Sequence, residues 1–119
     1  LATFIVGYTS LERIIRDAYP RFAGMATNLL ANPDHSLHAI HTASQVRPRS
    51  GTIGLREKFI CLAAATNATD PEAALADYQR FLPLKTLRDR IAHGDNFDPR
   101  AMPLHELTAL AARYCMLTT

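Results

Sequence analysis

Apolar residues Phe4, Ile5, Tyr8, Leu11, Ile14, Ile15 and Ala18 recur at steps of three and four, the spacing of one helix face. The pattern predicts a first helix near residues 2–19, stopped by Pro20, which lacks the N–H a helix interior needs. Phe22, Met25, Leu29 and Leu30 predict a second, shorter helix over 21–31, ending at Asn32-Pro33. Asp34 or Ser36 then offers a cap for a short helix carrying Leu37, Ile40 and Ala43. The Pro, Ser and Gly of Val46–Thr52 have the punctuation of an exposed loop.

Beyond that loop, Leu55, Phe59, Cys61, Leu62 and Ala65 predict a helix over 54–66. Asp70-Pro71-Glu72 reads as a helix start: a capping carboxylate, a proline in the first turn, and an acid against the positive end of the dipole. That helix is expected to run to Phe81. Pro83 opens another, closed by Gly94 as a left-handed cap. Pro103 opens the last, with Leu104, Leu107, Leu110, Ala111, Tyr114 and Leu117 as its stripe. No alternating strand pattern, internal repeat or low-complexity tract is present. The pattern therefore predicts an all-α fold, a compact bundle of about five to six helices forming one domain over 1–119.

Composition narrows the class without naming a function. Apolar residues make up 48% of the 119 positions and charged residues 20%, a globular mix that excludes disorder and collagen-like chains. No apolar run reaches the roughly 20 residues of a membrane span. The opening Leu1–Tyr8 has neither the basic start nor the small-residue cleavage site of a secretory signal. Without an initiator Met, the chain reads as trimmed or as part of a longer protein. Cys61 and Cys115 both fall in apolar helical patterns, which suits buried free thiols and a reducing, cytoplasmic setting.

The net charge of +2 allows an acidic partner without requiring one. The cations are almost all arginine, with Lys58 and Lys85 the two lysines. Arginine's planar fork suits phosphate, although a genomic bias toward arginine gives the same composition. Phosphate-cradling glycine loops, dinucleotide fingerprints, paired-cysteine zinc modules and His-Glu-x-x-His helices are all absent. His35, His38 and His41 invite a metal test, which they fail as a regular helix. Positions 35 and 41 lie about 240° apart, and Asp34 is the one nearby carboxylate. Surface histidines are the expectation, with no metal and no cofactor.

The segment with chemistry in it is Leu87-Arg88-Asp89-Arg90-Ile91-Ala92-His93-Gly94. A bare Arg-x4-His spacing means little, since chance supplies about half an occurrence here and Arg100 to His105 is a second one. Context separates them. His93 falls in the last turn of a helix, beside Gly94, where the dipole favours a cation. Arg88 lies about 40° from Leu84 and so borders the apolar stripe, where a guanidinium needs an anion or a partner surface. Arg88 and His93 are about 140° apart, so one regular helix does not bring both to one ligand, whereas two copies about a two-fold axis can. The bland alternative is a C-capping histidine and an arginine that snorkels to a surface carboxylate.

Arg88-Asp89-x-x-x-His93-Gly94, late in a small all-α domain, resembles the Arg-x4–6-His motif of the HEPN superfamily, most closely its Apea-like and related bacterial branches. The resemblance implies a metal-independent endoribonuclease whose composite site lies at a homodimer interface, in a toxin, defence or stress-response setting. Its nucleophile is the substrate's own 2′-hydroxyl. In that scheme His93 takes the proton, Arg88 stabilises the anionic phosphorane, and Asp89 orients the ring. Glu12 matches an auxiliary acidic position of the family's first helix, and equally suits a solvated helix face paired with Arg16. Arg90, Arg47 and Arg49 are candidates for flanking RNA phosphates. A neutralising antitoxin or regulatory domain is the partner such a toxin implies. HEPN-like domains also occur as inactive dimerising or nucleotide- and partner-binding modules, the alternative carried forward here.

Overall fold

The structure is a computed structural model that describes residues 1–45 and 53–118. Among them the chain is all-helical: α1 (Ala2–Leu30), α2 (His38–Gln45), α3 (Leu55–Thr66), α4 (Pro71–Ala92), α5 (Leu104–Tyr114) and a closing 3-10 turn, Cys115–Thr118. The all-α helical bundle expected from periodicity is what the chain forms. The expected Val46–Thr52 loop, with Arg47 and Arg49, lies outside the described residues.

Two helix boundaries differ from expectation, both at prolines. Pro20 lies inside α1 and Pro83 inside α4, so the pairs of helices expected over 2–19 and 21–31, and over 71–81 and 83–94, are each continuous. Each proline is exposed, so the carbonyl it leaves without an N–H partner, that of Arg16 or Gln79, belongs to a solvent-facing stretch. Buried residues continue in phase on either side. In α1 these are Leu11, Ile15 and Ala18 before the proline, Ala26 and Leu30 after it. In α4 they are Ala74, Asp77, Tyr78 and Phe81 before it, and Leu84 after it. Burying these side chains at about 1.5–3 kcal/mol for each large one outweighs a proline penalty of about 3 kcal/mol.

The contact pattern divides the chain into two compact units, and the divisions fall within α1 and α4. The first joins Leu1–Ile14 to Gln79–Thr119 and has Phe4, Tyr8, Leu11, Phe81, Leu84, Leu107, Leu110 and Tyr114 as its core. Phe4 and Tyr8 stack with ring centroids 6.1 Å apart. α1 and α5 pack closely here, because a Cβ on Gly7 would come within 2.8 Å of the Leu107 Cδ2. The second unit, Ile15–Tyr78, centres on α3, where every residue from Phe59 to Ala65 is buried. A helix buried all round needs apolar residues on all faces, and the Phe-Ile-Cys-Leu-Ala-Ala-Ala run supplies them.

Helix ends follow local chemistry. Asp70 caps α4, its Oδ1 accepting the Ala73 N–H at 3.1 Å. Neither Asp34 nor Ser36 caps α2, contrary to expectation. The ring of His35 accepts the Leu37 N–H instead, and Ser36 donates to Glu72 Oε1 at 2.6 Å. Cys61 is buried as expected. Cys115 is exposed, because it lies about 100° round from Tyr114 and about 140° from Leu110, off the buried stripe of α5.

Candidate functional site

The end of α4 carries the motif residues, and its geometry follows from Gly94. That glycine has φ +72°, the left-handed conformation that L side chains avoid. The Asp95 N–H bonds to the Arg90 carbonyl at 2.9 Å and the Gly94 N–H to the Ile91 carbonyl at 3.3 Å, the two bonds of a Schellman cap. The expected glycine cap is therefore present, and it fixes His93 as the last helix-bonded residue, with its N–H on the Asp89 carbonyl at 3.0 Å.

Arg88 and His93 are both exposed, and among the described residues neither side chain makes a hydrogen bond or ion pair. The bland expectation of an arginine anchored on a surface carboxylate is thus not met within the described residues. Helical phase makes the exposure of Arg88 informative. It lies about 20° from the direction of Phe81 and about 40° from that of Leu84. Both of those are fully buried. Ala92, about 20° from Phe81 in the other sense, is exposed as well. The side of α4 that faces core at Phe81 is therefore open at Arg88 and Ala92, while Leu87 and Ile91, on the Leu84 side, are half-buried. The desolvation cost expected of Arg88 does not arise, because the guanidinium stands in water.

Asp89 is half-buried and committed elsewhere. Its Oδ2 accepts from Lys85 Nζ at 2.8 Å, one turn back along α4. Its expected partner, the His93 ring, lies one turn forward with no side-chain bond to it. Glu12 is half-buried on α1 in the same unit and makes no polar contact with Arg88, Asp89 or His93 among the described residues. Arg90 is exposed, a position open to a phosphate. In the second Arg-x4-His pair, Arg100 and His105 are exposed too, but they lie on either side of Pro103 and share no helix.

The histidine run behaves differently from a set of surface rings. His35 is buried, whereas His38 and His41 are half-buried. His35 Nδ1 accepts the Leu37 N–H at 3.0 Å, His38 Nδ1 is 2.7 Å from the Leu30 carbonyl, and His41 Nε2 is 3.0 Å from the Gln45 side-chain nitrogen. Burial, reinforced by His38, lowers the pKa of both His35 and His41. No group of three or more metal-ligating side chains converges among the described residues.

Sequence reasoning missed a buried polar pair. Asp77 is fully buried, and its Oδ2 accepts from Asn67 Nδ2 at 3.2 Å; the same Nδ2 lies 2.9 Å from the Ala63 carbonyl. The available signal was position: Asp77 shares the buried face of α4 with Ala74, Tyr78 and Phe81. The bonds tie the end of α3 to α4, a structural role.

No family model, curated protein or solved structure matches this chain. Among the described residues, no helix is long and apolar enough to cross a membrane.

Proposed function

We propose that this chain is a HEPN-type, metal-independent endoribonuclease whose active site is composite, formed where two copies bring their α4 ends together. The observation that carries the reading is the open sector at the end of α4. Arg88 sits in core phase yet exposed, and His93 is exposed on a rigid cap, with neither side chain used by the fold. The angle between them, about 140°, favours pooling across a two-fold axis over a site within one helix.

In this mechanism His93 of one copy removes the proton from a ribose 2′-hydroxyl, and that oxygen attacks the adjacent phosphorus. The bond to the 5′-oxygen breaks, giving a 2′,3′-cyclic phosphate and a 5′-hydroxyl end, with the leaving oxygen protonated from solvent. Arg88 offers fixed positive charge and forked donors to the crowded phosphorane, and keeps its proton while doing so. Arg90 holds a flanking phosphate. DNA, which lacks the nucleophile, is inert. The biological setting we assign is a cytoplasmic toxin, defence or stress-response system, with an antitoxin or regulatory domain restraining the enzyme.

Cleavage of a labelled RNA in EDTA tests the proposal. The wild type should cut, His93→Ala and Arg88→Ala should lose about 100-fold or more, and His105→Ala should cut normally. Circular dichroism should show unchanged helicity in all four proteins. Retained cleavage in His93→Ala sinks the assignment, as does loss in His105→Ala alone. A second reading, an inactive binding module built on the same helix, is favoured by one observation: Asp89 is held by Lys85 and does not orient His93. A folded, dimeric wild type that cuts no RNA would select it.

A further inference from the structure

Of the α-helices, α2 has the least hydrophobic anchorage. None of its eight residues is buried; the nearest fully buried side chain is Leu37, just ahead of it. Bonds made by three histidines run from the end of α1, through the turn, and along α2 itself. His38 Nδ1 donates to the Leu30 carbonyl, the last residue of α1. His35 Nδ1 accepts the Leu37 N–H at the entry to α2. His41 Nε2 accepts from the Gln45 side-chain amide one turn on.

These bonds differ in what they demand of the ring. An imidazole nitrogen that accepts a hydrogen bond must be unprotonated, so the Leu37 bond requires a bare His35 Nδ1, whereas the exposed Gln45 can turn its amide oxygen toward a protonated His41. His38 donates to a carbonyl at a helix C-terminus, a bond that its cation makes equally well. In neutral His35 the proton sits on Nε2, which is buried and has no partner among the described residues. A second proton would destroy the Leu37 bond, set one N–H against another, and place a charge where water does not reach.

We propose that α2 is an acid-released element: buried, neutral His35 holds the turn that carries it, and protonation of that ring lets turn and helix detach from an otherwise intact unit. The lowered pKa of His35 agrees with this direction, since the attached state resists the proton. Among the described residues no carboxylate bonds to the ring to offset its cation. α1 carries no charged side chain after Arg21. On α3, Arg56 pairs with Glu57, Lys58 lies over the Tyr19 ring at 5.8 Å, and Cys61 is buried. Glu72 at the start of α4 is bonded to Ser36, and Asp70 caps its own helix. Asp34, within the turn, is exposed. None of these side chains bonds to the three rings among the described residues.

Native-state amide hydrogen exchange on the full chain tests the latch. Between pH 7.5 and pH 5, after correction for intrinsic exchange, the opening constant of residues 38–45 should rise, by up to about 30-fold for one proton taken up by a ring of ordinary pKa in the open state. Amides of α3 should not follow. His35→Asn, whose Oδ1 can accept the Leu37 N–H and does not titrate, should remove most of the rise. Ring nitrogen shifts in the wild type provide the second readout, with His35 taking up its proton as α2 loses protection. The latch is refuted if protection of α2 is independent of pH, if His35→Asn keeps the full dependence, or if His35 protonates while α2 stays protected.

Discussion

The two thiols of this chain have opposite surroundings. Cys61 lies within the all-buried run of α3, where burial, with the Glu57 charge as a lesser cause, pushes its pKa up to about 11. Cys115 is exposed on the 3-10 turn, its Sγ 3.2 Å from the Ala112 carbonyl. The thiolate is the nucleophile, so alkylation at pH 8 should modify Cys115 first and leave Cys61 untouched until the protein unfolds. Mass spectrometry of the native and urea-unfolded chain reads this directly. Equal labelling of both in the native state would contradict the buried placement of α3. Apolar patterns surround both cysteines in the sequence, but the burial expected of both holds at Cys61 alone. The buried stripe of α5 is Leu107, Leu110 and Tyr114, and residues 115 and 116 lie about 100° and 160° round from Tyr114, where they face water. His35 was misread for a related reason: spacing arguments place side chains on helices, and His35 sits in a turn, where one ring can fold inward onto a backbone N–H.

At the scale of the elements, glycine and proline mark where local preference and packing disagree. Gly24 lies on α1 with nothing within 4 Å of an added Cβ, so Gly24→Ala should stabilise by about 0.5–1 kcal/mol. Gly7 shares the helix but not the space, because its Cβ would press on the buried Leu107. Gly7→Ala should therefore recover less of that gain or reverse it. Gly94→Ala, at φ +72°, should cost about 1–2 kcal/mol and fray the end that holds His93. Urea midpoints of the three variants give the ranking, and equal effects at 7 and 24 would deny the close approach of α1 and α5. The helix phase across Pro20 could have been read from Leu11, Ile15, Ala18, Phe22, Ala26 and Leu30, whose steps of three and four never break. A rule that proline ends a helix weighs one residue, whereas the fold weighs the whole stripe. The glycine cap was legible because its cause is local: only Gly94 tolerates that φ.

For the whole molecule, the resolved histidine shifts set a direction for stability against pH. His35 and His41 titrate lower in the folded chain than the ordinary 6.5, so the native state binds fewer protons than the unfolded one. Their contribution is complete above pH 6.5 and is lost as pH falls below it, through the folded values. The urea midpoint should fall from pH 7.5 to pH 5, and the fall should shrink in a variant carrying His35→Asn and His41→Asn. A midpoint that rises on acidification would reverse the sign. The all-α class was legible at this scale, since periodicity alone specifies it. The motif residues were legible as candidates on one capped helix end, but the exposure of Arg88 was not, because its phase borders the core. The partner of Asp89 was not: Lys85 and His93 stand at equal spacing on either side of it, and spacing gives no reason to prefer one.

The first unit is discontinuous in sequence, joining Leu1–Ile14 to Gln79–Thr119, whereas the second is the unbroken stretch between them. Translation therefore delivers the two in an uneven order. The ribosome releases every residue of the inner stretch before the outer core has its second half, so the inner stretch can condense while synthesis continues. Phe4, Tyr8 and Leu11 emerge first and wait longest, solvent-exposed, for Leu107, Leu110 and Tyr114. The α4 end matures only once Leu107, Leu110 and Tyr114 have been added, and a nascent chain released before them would carry the arginine and histidine without that core.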